Sequence, residues 1–331
     1  MTVASRSVGV AMVLTALLFA LLVWSVGTGE IAIPPGEVVA TLFGGGDRAT
    51  SFVIETLRLP RALTGALIGI ALGASGAIFQ SVTRNPLGSP DIVGFIQGAA
   101  AAAVLQIVVF GGGTFAIAAG AVAGGLATAL LVYVLAARGG VSGYRLVLIG
   151  IGVSFMLIAV TDYLLTRSTL EEAQSAQVWL TGTLNGRGWE HVRPIAVALA
   201  VLLPATALLI RPLRMLELGD DTARALGVAV ERSRLALVLV AVGLCAVATA
   251  SAGPIVFVAL AAPQIARRLT RATGPGVACA ALMGGVLLLG ADCASQRLFG
   301  DLQLPVGVMT GVCGGVYLTW LLTREWRKGS G

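Results

Sequence analysis

Lysine is almost missing: Lys328, near the C-terminal end, is the only one in 331 residues. A Walker A phosphate loop needs an internal Gly-Lys-Ser/Thr, because the lysine amine holds the outer phosphates. The chain therefore carries no NTPase of that kind, and a Schiff-base lysine is equally implausible. Histidine is as scarce. His191 stands alone, so no clustered-histidine site for a bare transition metal can form. The four cysteines, Cys245, Cys279, Cys293 and Cys313, fall in or beside apolar stretches without CxxC spacing. They read as small buried hydrophobes rather than disulfides or metal ligands. Charge of either sign is thin, with 11% Asp, Glu, Lys and Arg against about 25% in a soluble domain.

What fills the chain is apolar. Hydrophobic residues make up 57%, with 44 glycines besides, and the mean hydropathy is +0.93. A single soluble core cannot hide that much apolar surface; a bilayer can, at about 20 residues per span. The composition excludes a soluble enzyme, a disordered chain and a disulfide scaffold. Apolar runs predict ten spans, at 8–26, 62–82, 92–110, 115–136, 146–165, 195–210, 235–250, 255–265, 277–291 and 306–322. The eighth is short and broken. The first follows Arg6 as a signal peptide would, but it is too long for an h-region and lacks a small-residue cleavage site, so it reads as an uncleaved helix. Fifteen of the 22 basic residues fall at the two ends or in the loops on their side. That bias predicts both termini in the cytoplasm. The net charge of +6 is thus a matter of topology. The arginines are dispersed and not interleaved with aromatics, which speaks against nucleic-acid binding. Gly65, Gly69, Gly73 and Gly76 recur at four- and three-residue spacing and predict a helix face that a neighbour approaches closely.

Four stretches exceed what a connector needs. The outer segment 31–61 mixes Val38, Val39, Leu42, Phe52 and Ile54 with polar residues and ends in Leu57-Arg58-Leu59-Pro60-Arg61. It predicts a short surface helix, then a proline break that sets two arginines out as a docking point for carboxylates; interfacial snorkelling is the plainer alternative. The inner loop Arg84-Asn85-Pro86-Leu87-Gly88-Ser89-Pro90-Asp91 is stiffened by two prolines, and its asparagine can satisfy backbone groups left by a broken helix. The inner segment 212–232 contains Gly219-Asp220-Asp221-Thr222-Ala223-Arg224-Ala225-Leu226-Gly227. There Asp220 or Asp221 can cap a short helix that Gly227 ends, giving a charged handle for a soluble partner. Last, Gly253-Pro254-Ile255 and Pro263-Gln264 interrupt the eighth span, as broken helices do where they line a path.

Together these stretches resemble the permease subunits of type II ABC importers, the FecCD-type permeases for ferric siderophores, haem and cobalamin. The resemblance runs from Arg58-Leu59-Pro60-Arg61 through Ser75-Gly76, Gln80, Asn85-Pro86-Leu87, Gly94 and Gly98-Ala99 to Trp179-Leu180-Thr181-Gly182. It continues through Ala223-Arg224-Ala225-Leu226-Gly227, Gly253-Pro254-Ile255, Ala291-Asp292 and Arg297 to Leu304-Pro305-Val306-Gly307. It implies an all-α, multi-pass protein of the inner membrane with about ten transmembrane helices, forming one permease domain over 1–331. Arg58, Arg61 and Arg297 would meet glutamates of a substrate-binding protein. Asn85, Pro86 and Leu87 would lie at the cytoplasmic gate. Asp220, Asp221, Ala223, Arg224, Leu226 and Gly227 would form the helix that docks on an ATPase. Gly150, Ser154, Phe155 and Gln80 would line the path. The implied partners are a second permease, as a heterodimer rather than a homodimer, two ATPase subunits holding ATP and Mg, the binding protein and the chelate. No cofactor, metal or catalytic residue belongs to this chain. The run Ala259-Leu260-Ala261-Ala262-Pro263-Gln264-Ile265-Ala266-Arg267-Arg268 looks like the subgroup for enterobactin-type catecholates. Two departures stand out: Pro263-Gln264 where the family often has Pro-His, and Gln303-Leu304-Pro305 where many members have Glu-Leu-Pro.

Two other classes compete. A proton- or sodium-coupled transporter needs acids at mid-membrane. Asp162 is the sole acid inside a span, with Asp91 and Asp292 at span edges, so all three read as structural or interfacial. A membrane enzyme needs convergent reactive groups. Glu171, Glu172 and His191 fall in an outer loop without evident partners, and His191 reads as an interfacial residue.

Overall fold

A computed structural model describes residues 3–29, 32–45, 47–90, 94–137, 143–298 and 304–329. Asp91, Arg138 and Gln303 lie outside the described residues. Among those described, the regular structure is entirely helical. In chain order the helices are α1 (Val3–Gly27), α2 (Pro35–Leu42), α3 (Arg48–Phe52), α4 (Leu59–Thr83), α5 (Phe95–Val108), α6 (Thr114–Ala137), α7 (Gly143–Arg167) and α8 (Leu170–Leu180). They continue with α9 (Trp189–Leu208), α10 (Ile210–Glu217), α11 (Asp220–Ala225), α12 (Val230–Ala252), α13 (Val258–Thr270), α14 (Val277–Ser295) and α15 (Val306–Gly329).

Among the described residues, seven helices are long and apolar enough to cross a membrane: α1, α4, α6, α7, α9, α12 and α14. The apolar α5 and α15 are shorter. The thirteen-residue α13, with Pro263 inside it, occupies the place of the broken eighth span. The protein is an all-α integral membrane protein, and its ten bundle helices follow the ten apolar runs. The short helices α2, α3, α8, α10 and α11 lie in the connections. Local chemistry sets their ends. The Asp47 carboxylate accepts from the Thr50 N–H at 3.0 Å to start α3. Thr169 and Glu172 form a capping box that starts α8.

One expected break is not there. Residues 48–83 run as one continuous helical stretch, because Val53–Arg58 forms a wider π-type turn that leads directly into α4. A widened turn relieves the clash of the Pro60 ring with the preceding turn. Arg58 and Arg61 therefore sit on a helix rather than on a rigid turn. The surface-helix expectation holds for α2, where Val38 is fully buried and Val39 is partly exposed.

The centre of the bundle is α4, nearly all of whose residues from Ile68 to Val82 are buried. Its glycine face meets backbone. A Cβ on Gly69 would overlap the Gly284 carbonyl, one on Gly73 the Ala280 carbonyl, and one on Gly76 the Ala259 carbonyl. The close approach predicted from glycine spacing is therefore the seam of α4 with α13 and α14. Ser75 Oγ donates to the Ala241 carbonyl at 2.6 Å and joins α4 to α12. At the far end of the same seam, Arg61 Nε and Nη2 donate to the two carboxylate oxygens of Asp292 at 3.1 and 2.8 Å. Asp292 is fully buried and also accepts from Gln296 Nε2 at 2.7 Å. Cys245, Cys279 and Cys293 are buried and free, as their apolar setting predicts, whereas the free Cys313 is exposed on α15, because α15 lies at the edge of the bundle.

Two outcomes follow for stability. Gly73→Ala should cost about 1–3 kcal/mol through backbone displacement. Gly152→Ala, where an added Cβ meets nothing within 4 Å, should stay within about 0.5 kcal/mol of the parent. Thermal melting in detergent checks both, and equal melting temperatures for the two variants would show that the seam is not close-packed. Asp292→Ala leaves Arg61 unpaired and should destabilise by about 3–5 kcal/mol, with the Arg61→Met/Asp292→Leu double variant recovering most of that loss.

Candidate coupling and gating site

The bundle end that carries the N-terminus is marked by Arg6, whose Nε donates to the Leu269 carbonyl at the end of α13 at 2.8 Å. At this end α10, α11 and the start of α12 form a compact unit. Gly219, at φ 109°, turns the chain into α11. Gly227, at φ 82°, turns it out again, as expected from its place after Leu226. The expected aspartate cap is absent: Gly219 holds the cap position without a side-chain bond, and both aspartates lie in the first turn. Asp220 is instead drawn to cations. Arg234 Nη2, on α12, donates to both Asp220 oxygens at 2.7 and 2.8 Å. Arg84 Nη2, from the end of α4, reaches Oδ1 at 3.3 Å. Burial alone would raise the pKa of Asp220, but the Arg234 hydrogen bond and the charges of Arg234, Arg84 and Arg224 outweigh it and hold the carboxyl below its ordinary value. Asp221, by contrast, is exposed and pairs with Arg224 at 2.9 Å. Ala223 is fully buried, while Leu218 and Leu226 project from the surface. The result is a short helix clamped from behind and presenting two leucines beside a cation and a carboxylate.

The loop after α4 lies alongside. Arg84 takes the left-handed conformation, φ 51°, that ends α4. Asn85 Oδ1 accepts from the Leu87 N–H at 2.9 Å and closes a tight turn. The Pro86 carbonyl accepts from Gln264 Nε2 of α13 at 2.8 Å. One turn back, Gln80 Nε2 donates to the Leu260 carbonyl at 3.0 Å. Asn85, Pro86 and Leu87 are exposed, whereas Gln80 is buried and grips the start of α13. Gln80 thus joins α4 to α13 and does not face open space.

Three separated motifs meet at the break before α13. The Thr183 N–H donates to the Ala252 carbonyl at 2.8 Å, and the Gly307 N–H donates to the Gly182 carbonyl at 3.0 Å. A Cβ at Gly182 would overlap the Pro254 carbonyl, one at Gly253 the Trp179 carbonyl, and one at Gly307 the Thr181 carbonyl. Gly182 and Gly253 also have φ of 69° and 82°, which disfavours any other residue. Phe257 enters α13 at φ 68°, an uncommon state for an aromatic residue. Of the remaining path candidates, Gly150 is buried and accepts from Ser154 Oγ at 2.8 Å, where the start of α5 packs against α7. Phe155 is 68% exposed. Asp162 is exposed on the same helix.

At the opposite end the three candidate docking arginines are already engaged within the chain. Arg58 Nη1 donates to the Val26 carbonyl at 3.0 Å, Arg61 holds Asp292, and Arg297 stacks on Trp24 at 4.5 Å. His191 is buried at the start of α9. Its Nε2 lies 2.9 Å from Arg187 Nη1, and its Nδ1 lies 3.1 Å from Glu190 Oε1, outside hydrogen-bond geometry. Sequence reading missed Arg84, Arg234 and Arg187. Each is an arginine whose carboxylate or imidazole partner becomes visible only in three dimensions. Among the described residues no three His, Cys, Asp or Glu side chains gather as a metal site.

The site belongs to a known lineage. The family profile described as the FecCD transport family matches residues 17–324. The Escherichia coli ferric enterobactin transport system permease protein FepG is 50% identical over 306 residues, 92% of this chain and 93% of the relative. A Bacillus subtilis siderophore transport system permease, YfhA, described as probable, is 39% identical over 95% of this chain and 94% of its own length. A solved chain, an inward-facing conformation of a proposed metal-chelate type ABC transporter, superposes with a TM-score of 0.84 at 29% identity, over 96% of this chain and 99% of that one. The chain belongs to the FecCD transport family.

Proposed function

We propose that this chain is the permease subunit of an ATP-driven importer for a ferric siderophore, with a catecholate of the enterobactin type as its cargo. The observation that carries the reading is the clamped helix α11, a partner handle built into the same bundle end as the gate loop. The half-identical relative serves ferric enterobactin transport, which supports the cargo class. A ferric catecholate arrives already chelated, so the conduit needs no metal ligands of its own. A cavity shared with a second permease, of a related but different sequence, suffices.

In this reading both termini, α11 and the 84–90 loop face the cytoplasm, in line with the bias of basic residues. Two ATPase subunits bind ATP and Mg and receive α11, with Leu218 and Leu226 as apolar knobs and Arg224 and Asp221 as the polar rim. Movement of α11 reaches the gate through Arg84, which touches Asp220 and directly precedes Asn85. A substrate-binding protein docks at the opposite face. Arg58 and Arg297 supply its cationic contacts, and Arg61 mainly fixes the start of α4.

Three outcomes test the reading. In the assembled transporter, Arg224→Glu should cut binding-protein-stimulated ATPase activity and uptake by roughly fivefold or more, the scale of a coupling energy of 1–3 kcal/mol. Undiminished stimulation would remove Arg224 from the coupling surface. Arg58→Glu/Arg297→Glu should weaken capture of the binding protein without changing unstimulated ATPase activity, and unchanged affinity would place docking elsewhere. The third outcome concerns pH. Asp220 has a folded-state pKa below its ordinary value of 3.8, so its stabilisation is complete above that value and is lost as pH falls through the lower, folded-state value. Proteolytic cleavage in 218–228 should therefore be slow and flat from about pH 5 to pH 8, and Asp220→Asn should make it fast across that whole range.

A further inference from the structure

We propose that the bundle end bearing the N-terminus binds the phosphate of an anionic phospholipid, whose acyl chain then lies along α1. A cavity of about 520 Å³ opens there between the first turn of α1, α10, the 270–276 loop and the start of α14. Its polar side chains are Arg214, Ser7, Thr270 and Thr273, and no carboxylate lines it. Arg214 is exposed and makes no ion pair among the described residues. The floor is closed by Cys279, whose thiol donates to the Ser7 carbonyl at 3.6 Å. The Thr270 hydroxyl already donates to the Ala266 carbonyl at 2.8 Å, and the Arg214 guanidinium beside Thr273, with no competing acid, suits a phosphate oxyanion.

A second feature says which phosphate. An apolar face of α1, made by Val8, Ala11, Met12, Thr15, Ala16 and Phe19, begins at the residue after Ser7. Val8, Met12 and Phe19 are each about 60% exposed. From Val8 to Phe19 the helix rises about 16 Å at 1.5 Å per residue. One leaflet of hydrocarbon is about 15 Å deep. A polar cavity at the membrane edge thus lies beside the start of an apolar helix face one acyl chain long. The amphipathic α10 buries Leu213 and Leu216 while Arg211 and Arg214 are exposed, which sets Arg214 at headgroup height. Free phosphate fits the cavity alone, whereas a lipid also covers the exposed apolar face of α1, so the lipid is the occupant.

Native mass spectrometry of the full-length chain in detergent tests this, with phosphatidylglycerol or phosphatidylcholine as probe and inorganic phosphate as competitor. The parent should retain phosphatidylglycerol over phosphatidylcholine by about fivefold. Arg214→Glu should bring that ratio to about one. Gly274→Glu should do the same; Gly274 lines the cavity and a Cβ there meets nothing within 4 Å, so the variant adds a carboxylate without strain. Gly274→Ala should keep the preference, and unchanged melting temperatures show that the variants fold. Equal retention of the two lipids by the parent, or an undiminished preference in both glutamate variants, overturns the proposal. Displacement of phosphatidylglycerol by millimolar inorganic phosphate overturns the lipid assignment and leaves a free-phosphate site. None of these readouts depends on transport.

Discussion

Backbone-to-backbone contact along α4 is the constraint on which the rest of the structure depends. In a membrane, helices gain little from hiding apolar side chains from one another, since lipid is equally apolar, and close packing has to supply the association energy. Gly69, Gly73 and Gly76 let α4 touch the Gly284, Ala280 and Ala259 carbonyls. Two helices, α13 and α14, are thereby fixed against α4 at contact distance, and Ser75 joins α12 to it. The central window of α4 is 83% buried, and those of α12 and α14 are 67% and 61%, whereas α1 and α7 are 11% and 17% buried. The molecule is a tight nucleus with helices laid against it. Those outer helices are what remains to meet lipid and a second subunit.

Charge is placed with the same economy. Buried charges in a membrane protein need partners, and the bundle supplies them at its ends. Asp292 takes Arg61 and Gln296 at one end, and Asp220 takes Arg234 and Arg84 at the other. Each aspartate ties two helices that are distant in sequence. The arginines at the end away from the N-terminus show how a partly exposed charge can serve a fold. Arg297 lies over Trp24 and Arg58 holds a carbonyl at the end of α1, so both reach the surface already braced.

The periodic features were legible in the sequence, and the pairings were not. Apolar run length gave the spans, and glycine spacing gave the seam of α4, because both are local patterns of one helix. The same holds for Gly227, which ends α11. The turn at 57–61 was misread because proline argues for a break, while a widened helical turn absorbs it at Val53–Arg58. Local neighbours allow either Asp220 or Asp221 as a cap, but Arg234, fourteen residues away, draws Asp220 off the backbone amides, and Asp221 pairs with Arg224. Arg61 and Asp292 are 231 residues apart, and no local pattern joins them. The convergence of Gly182, Gly253 and Gly307 is of the same kind. Each glycine announces an unusual backbone, but only the fold shows that they interlock.

The two contacts of Asp220 differ enough in strength to say how α11 could move. In the pair with Arg234 one buried guanidinium nitrogen donates to both carboxylate oxygens; the pair with Arg84 is a single 3.3 Å contact with the arginine half exposed. Exposed pairs of the second kind contribute about 0–1 kcal/mol, whereas losing one member of a buried pair costs several. A push on α11 therefore carries α12 with it and slides against α4. Since α4 is locked to α13 and α14 through its glycines, the yielding element is the loop that starts at Arg84. The Gln264–Pro86 hydrogen bond, worth about 1 kcal/mol net, ties the exposed 84–87 part of that loop to α13, and Gly88 to Pro90 are buried beyond it. A rigid nucleus, a short helix fixed firmly to α12 and a loop exposed at Arg84 to Leu87 are held with different firmness, so that under the proposed function a modest force on α11 acts on that loop before it disturbs the seam.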